Sequence, residues 1–367
     1  MLRSILLALV VLAALPASTS ATQPLPLERL KLPPGFAIDV YADVPEARSL
    51  ALGPDGIVFV GSMRRGTVTA LVPRADGKPE TVVIAKGLNT PNGVTYRDGA
   101  LYVAEIGRIL RYDDIVRTMR DAPQPRVVTD RYPEDGHHGW KFIAFGPDGK
   151  LYVPVGAPCN VCEPDPDRYA LISRINPDGS GYEVFARGIR NSVGFDWDPR
   201  TKELWFNEHG RDMMGDDMPS DELNHAPRAG LNFGFPYCHQ GDTPDPQFGS
   251  RPCAGFTPPA LKQGGHVAPD GLRFYTGGMF PPEYRNRIFI AQHGSWNRSS
   301  KNGYRVMMAT LKDNQVERYE PFIEGWMENE KVWGRPVDLL VMPDGALLVS
   351  DDHAGVVYRV TYDGRKR

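Results

Sequence analysis

A strand–turn–strand unit that recurs six times is the feature that most constrains the fold of this chain. Most of its turns are built on Asp-Gly or Asp-Pro, which tolerate the backbone conformations that tight hairpin turns need. The copies begin near Ser49, Asn92, His137, Val193, Gly271 and Val337. One such unit cannot bury both faces of its sheet, whereas six arranged radially can, with only short edges exposed. The pattern therefore predicts an all-β, six-bladed β-propeller and disfavours a pair of β-sandwiches.

The N-terminus differs in composition from the repeats. Residues 1–21 carry Arg3, an apolar run from Ile5 to Leu15 and small residues ending at Ala21, the pattern of a cleaved secretory signal. The alternative is a membrane anchor, but a span needs about 20 apolar residues. We therefore expect a signal peptide over 1–21 and a periplasmic or secreted protein with no membrane span after cleavage.

The rest of the chain predicts one domain with a single interruption. Residues 22–34 are proline-rich and predict an extended arm, and residues 35–367 hold the six repeats. The spacing widens between the fourth and fifth copies, near 208–265, where the chain is polar and rich in Gly and Pro. A long insertion in a regular repeat is typically a functional loop. The formal net charge of −3, without a long basic run, argues against a nucleic-acid partner.

The four cysteines form two local pairs, Cys159 with Cys162 and Cys238 with Cys253. In an oxidising compartment both pairs are expected to be structural disulfides. Glu163 stands where a haem-attachment motif needs histidine, so the first pair does not predict a haem site. A zinc site of four cysteines is the weaker alternative, because the second pair is not closely spaced.

The loops that follow the central strands should emerge on one face of the disc and carry its chemistry. They are rich in Arg, His and carboxylates, and arginines that converge with histidines suit a planar polyanion, since Arg pairs bidentately with carboxylates. One of these loops holds an acidic cluster suited to Ca²⁺, a hard cation that prefers oxygen ligands. Its members are Asp212, Asp216, Asp217, Asp221 and Glu222.

Several motifs together resemble a known family, the PQQ-dependent sugar dehydrogenases, which include the soluble glucose, aldose sugar and L-sorbosone dehydrogenases. The motifs are a histidine before FGPDGKLYV, then GIRNSVGFDWDP, NEHG, GLNFGFPYC, HGSWNR and GRPVDLLVMPDGALLVSDD. The resemblance covers essentially the whole mature chain and is closest to the sorbosone dehydrogenase branch. It implies a six-bladed propeller with pyrroloquinoline quinone (PQQ) on its axial face and Ca²⁺ between cofactor and protein.

The resemblance also implies roles for particular residues. A family histidine takes the proton from the substrate hydroxyl while hydride moves to C5 of the quinone, and the distance to the GPDG turn favours His138 over His137 for that base. Arg190 matches the arginine beside the reacting quinone oxygen, with Asn191 next to it. Arg335 matches an arginine that binds a cofactor carboxylate, and Arg298 corresponds loosely to another basic cofactor ligand.

The implied metal site has four members in this chain, and its neighbourhood departs from the family pattern. Gly210 and Arg211 fall where backbone carbonyls hold the catalytic Ca²⁺, and the acidic cluster adds Asp221 and Glu222. The departures leave PQQ affinity and sugar preference open. They are Arg211 where the glucose enzymes have proline, His209 for a glutamine, Lys141 where the branch often has arginine, and Val337 for a second arginine.

The favoured function is therefore an exported PQQ- and Ca²⁺-dependent dehydrogenase that oxidises an aldose or related sugar. Because the chain has no haem motif, electrons are expected to leave to a separate acceptor, a quinone or a cytochrome. A calcium-dependent lactone hydrolase on a six-bladed propeller is one alternative, but it needs no arginine cluster for a tricarboxylate. A non-enzymatic binding scaffold is another, and it needs neither Arg190 nor His138.

Overall fold

The computed structural model describes residues 24–249 and 251–365, and the proposed signal at 1–21 lies outside these ranges. The described chain forms six sheets of four or five strands, numbered here as blades 1 to 6 in chain order. This confirms the predicted six-bladed β-propeller. The helical part of the described residues is one short α-helix and three 3₁₀ turns, which are α1 (Ile115–Thr118), Leu27–Arg29, Pro54–Gly56 and Pro282–Tyr284.

The first half of the described chain contains one separate strand and three blades. The separate strand is β1 (Phe36–Asp43). Blade 1 contains β2 (Leu50–Leu52), β3 (Val58–Val60), β4 (Val68–Val72) and β5 (Glu80–Ala85). Blade 2 contains β6 (Gly93–Arg97), β7 (Ala100–Ala104), β8 (Ile109–Tyr112) and β9 (Arg126–Thr129). Blade 3 contains β10 (Ala144–Phe145), β11 (Leu151–Val155), β12 (Leu171–Ile175) and β13 (Glu183–Arg187).

The second half contains the insertion and three more blades. Blade 4 begins with β14 (Phe195–Trp197), β15 (Leu204–Glu208) and β16 (Ser220–Ala226). The insertion then forms β17 (Leu231–Asn232), β18 (Cys238–His239) and β19 (Thr243–Pro244), before β20 (Leu261–Gly265) completes the blade. Blade 5 contains β21 (Pro269–Phe274), β22 (Ile288–Gln292), β23 (Arg305–Lys312) and β24 (Gln315–Ile323). A short hairpin, β25 (Met327–Glu328) and β26 (Lys331–Val332), precedes blade 6, with β27 (Pro336–Val341), β28 (Leu347–Asp351) and β29 (Val356–Tyr362).

The second strand of each blade is buried along its whole length. In β3 all three residues, Val58 to Val60, are buried, and the same holds for the five residues of β11. Such a strand has a partner on each side and a neighbouring blade against each face, so apolar residues lie on both faces, and only the last residues of β15, β22 and β28 are polar. This packing holds the strand ends, and therefore the loops that follow them, in fixed positions.

The ring closes between the two ends of the chain. β1 pairs antiparallel with β29, with Phe36 opposite Tyr362 and Asp43 opposite Val356. β1 is thus the outermost strand of blade 6. The preceding segment packs on blade 5, because Leu30 is buried and the backbones of Lys31 and Glu324 exchange two hydrogen bonds.

The predicted insertion at 208–265 is too wide, because β16 and β20 are the third and fourth strands of blade 4 and the inserted segment is 227–260. β17 pairs in parallel with β13, so the insertion adds a fifth strand to blade 3. The disulfide between Cys238 and Cys253 closes part of the insertion, and Cys159 is joined to Cys162 in blade 3. Both predicted disulfides are therefore present. Among the described helices there is none with the length and apolarity that a membrane crossing requires.

Candidate active site

The loops that precede the first strand of a blade and follow its second strand meet around a cavity of about 580 Å³. Charged and histidine side chains dominate the lining, together with Trp140, Trp296 and Tyr304. The cationic groups are Arg48, Arg64, Arg190 and Arg335, and the histidines are His138, His209, His266 and His293. The acidic groups are Glu46, Asp212, Asp221, Asp270 and Asp352.

Six of the nine predicted site residues line this cavity. They are His138, Arg190, Asn191, Gly210, Asp221 and Arg335. The other three are absent from the lining, namely Arg211, Glu222 and Arg298. His137, the alternative base, is exposed and is also outside the lining, so the geometry favours His138.

His138 is held in one orientation and one tautomer. Its Nδ1 lies 2.9 Å from the carbonyl oxygen of Ala157, and a carbonyl only accepts, so Nδ1 carries the proton and Nε2 keeps its lone pair. Burial, helped by the charge of Arg190, lowers the pKa of His138 to about 2. The imidazole is therefore neutral near neutral pH and can accept a proton at Nε2.

The backbone around His138 needs the glycine at position 156. His138 has a φ of 51°, in the left-handed region. A Cβ added at Gly156 would lie 2.5 Å from the Cβ of His138 and 3.2 Å from the amide oxygen of Asn191. The chain just after β11 therefore passes too close to His138 for any side chain at position 156.

The Arg190 guanidinium is bound on every N–H. Nε donates to the carbonyl of Asn160 at 2.8 Å, and Nη2 donates to Asn160 Oδ1 at 2.9 Å and to Asp212 at 3.0 Å. Nη1 donates to the carbonyls of His209 at 3.3 Å and Gly210 at 2.8 Å. Arg190 thus presents a fixed positive charge beside His138, and any hydrogen bond to a ligand would replace one of these five.

His209 connects Asn191 to a buried aspartate. The Asn191 amide donates to His209 Nδ1 at 3.1 Å, and His209 Nε2 lies 3.2 Å from Asp270. Burial is the largest single influence and lowers the pKa of His209, but the hydrogen bond and charge of Asp270, together with the charge of Asp221, outweigh it and the pKa is raised. The residue that replaces the family glutamine therefore joins Asn191 to a charged network through Asp270.

Arg48 is the centre of that network, and the sequence analysis did not single it out. Its side chain is buried and contacts Asp270 at 3.1 Å, Asp352 at 3.0 Å and Asn92 at 2.9 Å. Asp352 also pairs with His293 at 3.0 Å and Arg335 at 3.1 Å. These contacts link blades 1, 2, 5 and 6 at the cavity. The only signal in the sequence was an arginine just before the first repeat. Its partners Asp270 and Asp352 are far from it in the sequence.

The predicted metal residues separate into two groups. Asp221 lies at the cavity, where one carboxylate oxygen accepts from the Gly210 amide at 2.7 Å and the other from the Ala268 amide at 2.8 Å. Burial raises the pKa of Asp221. Glu222 lies behind it, across the strand pair from Glu208. Within residues 24–249 and 251–365, no three His, Cys, Asp or Glu side chains converge as a metal cage.

The two remaining predicted residues point to partners outside the cavity. The Arg211 side chain pairs with Asp245 at 2.5 Å. Arg298 donates to the Asp217 carboxylate at 2.7 Å and to the backbone oxygen of Asp216. Arg298 therefore joins the loop after β15 to the loop after β22. Arg335, by contrast, lies in the cavity wall beside Asp352.

The comparisons with known sequences give one family. A family model described as glucose/sorbosone dehydrogenase matches residues 110–359. An uncharacterized protein of Borreliella burgdorferi is 33% identical over 351 residues, 91% of each protein. An aldose sugar dehydrogenase of Escherichia coli is 30% identical over 193 residues, which are 51% of this chain and 46% of that protein.

Solved structures share the same architecture. The PQQ domain of a pyranose dehydrogenase from Coprinopsis cinerea superposes with a TM-score of 0.75 and 19% identity, covering 90% of this chain and 97% of that one. The PQQ-bound aldose sugar dehydrogenase of Streptomyces coelicolor gives a TM-score of 0.65 and 20% identity, covering 91% of this chain and all of that one. At such identities the likeness shows a shared fold.

Proposed function

This chain belongs to the glucose/sorbosone dehydrogenase family, and from that premise we propose that it is a PQQ- and Ca²⁺-dependent dehydrogenase of an aldose or related sugar. The observation that carries the proposal is a neutral His138, with its Nε2 lone pair, in a cavity lined by arginines. A proton acceptor beside a fixed positive charge suits removal of a hydroxyl proton together with hydride loss. PQQ supplies the two-electron acceptor when it is bound.

The lining fits a tricarboxylate quinone if a cation binds with it. Four arginines face five carboxylates around the cavity, so a ligand with three carboxylates would meet no net positive charge from these groups. A divalent cation would supply the missing positive charge. Asp221 is a suitable ligand for it, because its buried carboxylate accepts hydrogen bonds from the backbone amides of Gly210 and Ala268. We therefore assign the Ca²⁺ to the Asp221 side chain with the Gly210 and Arg211 carbonyls.

The remaining residues take positions around this pair. Arg335, with a side chain 38% exposed, is the arginine that can turn toward a cofactor carboxylate. Arg190 acts through its charge, because its five N–H groups already have acceptors. His138 Nε2 accepts the proton of the sugar hydroxyl and later releases it to water.

The setting we propose is the periplasm or the medium. The N-terminal pattern at 1–21 supports export, and two disulfides suit an oxidising compartment. The substrate is an aldose or a related sugar aldehyde or hemiacetal, and electrons pass to a separate quinone or cytochrome. N-terminal sequencing of the protein from its native compartment tests the export, since a mature chain beginning near Thr22 is expected.

Reconstitution tests the activity. The mature chain is titrated with PQQ and Ca²⁺, with and without chelator, and then given a panel of aldoses and an artificial electron acceptor. We expect saturable, calcium-dependent binding and sugar-dependent dye reduction. Absence of binding at micromolar PQQ would contradict the proposal, and hydrolysis of lactones under the same conditions would favour the hydrolase alternative.

The His138→Ala variant tests the role of the base. We expect it to bind PQQ like the wild type but to lose turnover by at least about 100-fold, as is typical for a missing general base. The measurement is the rate of dye reduction at saturating cofactor. A variant that keeps the wild-type rate would show that another group takes the proton.

A further inference from the structure

We propose that Asn160, inside the loop closed by the Cys159–Cys162 disulfide, is a positioning residue that fixes Arg190 and the loop after β15 in the cavity wall. Its contacts stand on the geometry alone. Its effect on turnover rests on the function proposed above. Asn160 is outside the cavity lining, so it acts through Arg190 rather than on a ligand.

Asn160 supplies two of the five acceptors of the Arg190 guanidinium. Its backbone oxygen accepts from Nε at 2.8 Å and its side-chain oxygen accepts from Nη2 at 2.9 Å. These two bonds engage the Nε–Nη2 edge of one planar group, so they fix both its position and its plane. The charge that faces His138 is therefore placed by a residue of blade 3.

The same side chain holds Asp212 in place. Asn160 Oδ1 accepts from the Asp212 backbone N–H at 2.8 Å, and Asn160 Nδ2 donates to the Asp212 carbonyl at 3.1 Å. The Asp212 carboxylate in turn accepts from Arg190 at 3.0 Å. Three residues thus bind one another in a closed triangle, and the polar groups of the Asn160 side chain are used within it.

The disulfide explains how a loop residue can serve as a fixed point. It joins Cys159 to Cys162 and leaves only Asn160 and Val161 between them. Cys159 and Val161 pack against buried Ala157, Ala170 and Phe235. The loop is therefore cross-linked and anchored, which limits the conformations open to Asn160. The Cys159–Cys162 disulfide therefore also holds Asn160 in position to bind Arg190.

A hydrogen-exchange experiment tests the triangle without cofactor. In Asn160→Ala the Asp212 amide loses its acceptor, so exchange in the peptide covering 209–214 should speed up by roughly tenfold or more. Asn160→Asp keeps an oxygen for Arg190 and the Asp212 amide but loses the Nδ2 donor to the Asp212 carbonyl, so its exchange should lie between those of the wild type and Asn160→Ala. Asn176→Ala is the matched control, because Asn176 binds Ser180 in an exposed turn of blade 3. Unchanged exchange in Asn160→Ala would overturn the proposal.

A second experiment measures turnover and the PQQ spectrum of the enzyme with bound PQQ and Ca²⁺, and it includes a variant without the disulfide. In Asn160→Ala we expect kcat to fall roughly tenfold with little change in the sugar KM, since misplacing a catalytic charge affects the reacting state more than binding. The absorbance maximum of bound PQQ should shift, and we expect a shift in the same direction in Arg190→Lys. The double variant Cys159→Ser with Cys162→Ser should change exchange and spectrum in the same direction.

The two experiments separate the two possible failures. If the wild type does not bind PQQ, the proposed function fails while the exchange result still decides the role of Asn160. If PQQ binds and Asn160→Ala matches the wild type in spectrum and kcat, Asn160 is not a positioning residue. If Asn160→Ala does not fold, the exchange of the double cysteine variant decides the question, with wild-type exchange overturning the proposal.

Discussion

At the scale of single residues, the chemistry of this site depends on where protons lie. The Ala157 carbonyl fixes the proton of His138 on Nδ1, and burial near Arg190 opposes a second proton on the ring. Asp270 has the opposite effect on His209, whose pKa it raises. Two histidines of one cavity thus have opposite pKa shifts, one as a neutral imidazole and one as part of a charged network.

The titration of His138 predicts a change in stability with pH. Burial lowers the pKa of His138 to about 2 in the folded chain, against 6.5 for an unperturbed imidazole. The unfolded chain then binds more protons at acid pH, so this contribution to stability is complete above about pH 6.5 and is lost as the pH falls toward the folded pKa. The wild-type unfolding free energy should therefore fall more steeply below pH 6.5 than that of His138→Gln, by up to about 1.4 kcal/mol per pH unit.

Denaturant titrations of both proteins between about pH 5 and pH 8 measure this difference. The His138→Gln variant is a fair comparison, because its side-chain amide N–H can still donate toward Ala157. A His225→Gln variant serves as control, since His225 pairs with Glu203 away from the cavity lining. Parallel curves for wild type and His138→Gln would contradict a neutral buried His138.

At the scale of elements, two loops from neighbouring blades are tied together at the cavity rim. Arg298 binds Asp216 and Asp217, and the Ser299 amide donates to the Asp216 carboxylate at 2.9 Å. Trp296, with 75% exposure, lies on the second of these loops and lines the cavity. An arginine that the motif pattern placed on the cofactor is thus used to shape the entrance.

This arrangement predicts different effects for two arginine variants. Arg335→Ala should weaken PQQ binding by roughly tenfold or more, because a charge-assisted hydrogen bond contributes about 1.5–3 kcal/mol. Arg298→Ala should leave the dissociation constant within about twofold, because its partners lie on protein loops and exposed ion pairs contribute little. Titration of PQQ absorbance measures both constants. Limited proteolysis should cut Arg298→Ala faster within 212–218 than the wild type. A large loss of PQQ affinity in that variant would indicate that Arg298 binds the cofactor.

At the scale of the whole molecule, the repeat predicted the fold because each copy carries its own turn and strands. The six copies and both disulfides required only local patterns. The Arg48 network did not follow from any local pattern, since Arg48, Asp270 and Asp352 meet only after the ring closes. For the same reason the motif that contains Arg298 indicated its loop but not the direction of its side chain. Asn160 was missed because its role depends on Arg190 from the next blade.

Ring closure predicts a large contribution to stability from one aromatic side chain, because Phe36 connects the closing strand to blade 5. Phe36 on β1 packs against Phe280 at 4.8 Å and Phe322 at 5.1 Å between ring centroids, both from blade 5. Phe36→Ala should lower the unfolding free energy by about 3–5 kcal/mol, the usual cost of removing a buried aromatic ring. The loss should appear as one cooperative transition, since blades 5 and 6 share this contact. Val127→Ala, on the outer strand of blade 2 at 50% exposure, should change stability by less than about 0.5 kcal/mol. Separate early release of residues 35–43 to protease, with an unchanged main transition, would show that the ring holds together without its closing strand.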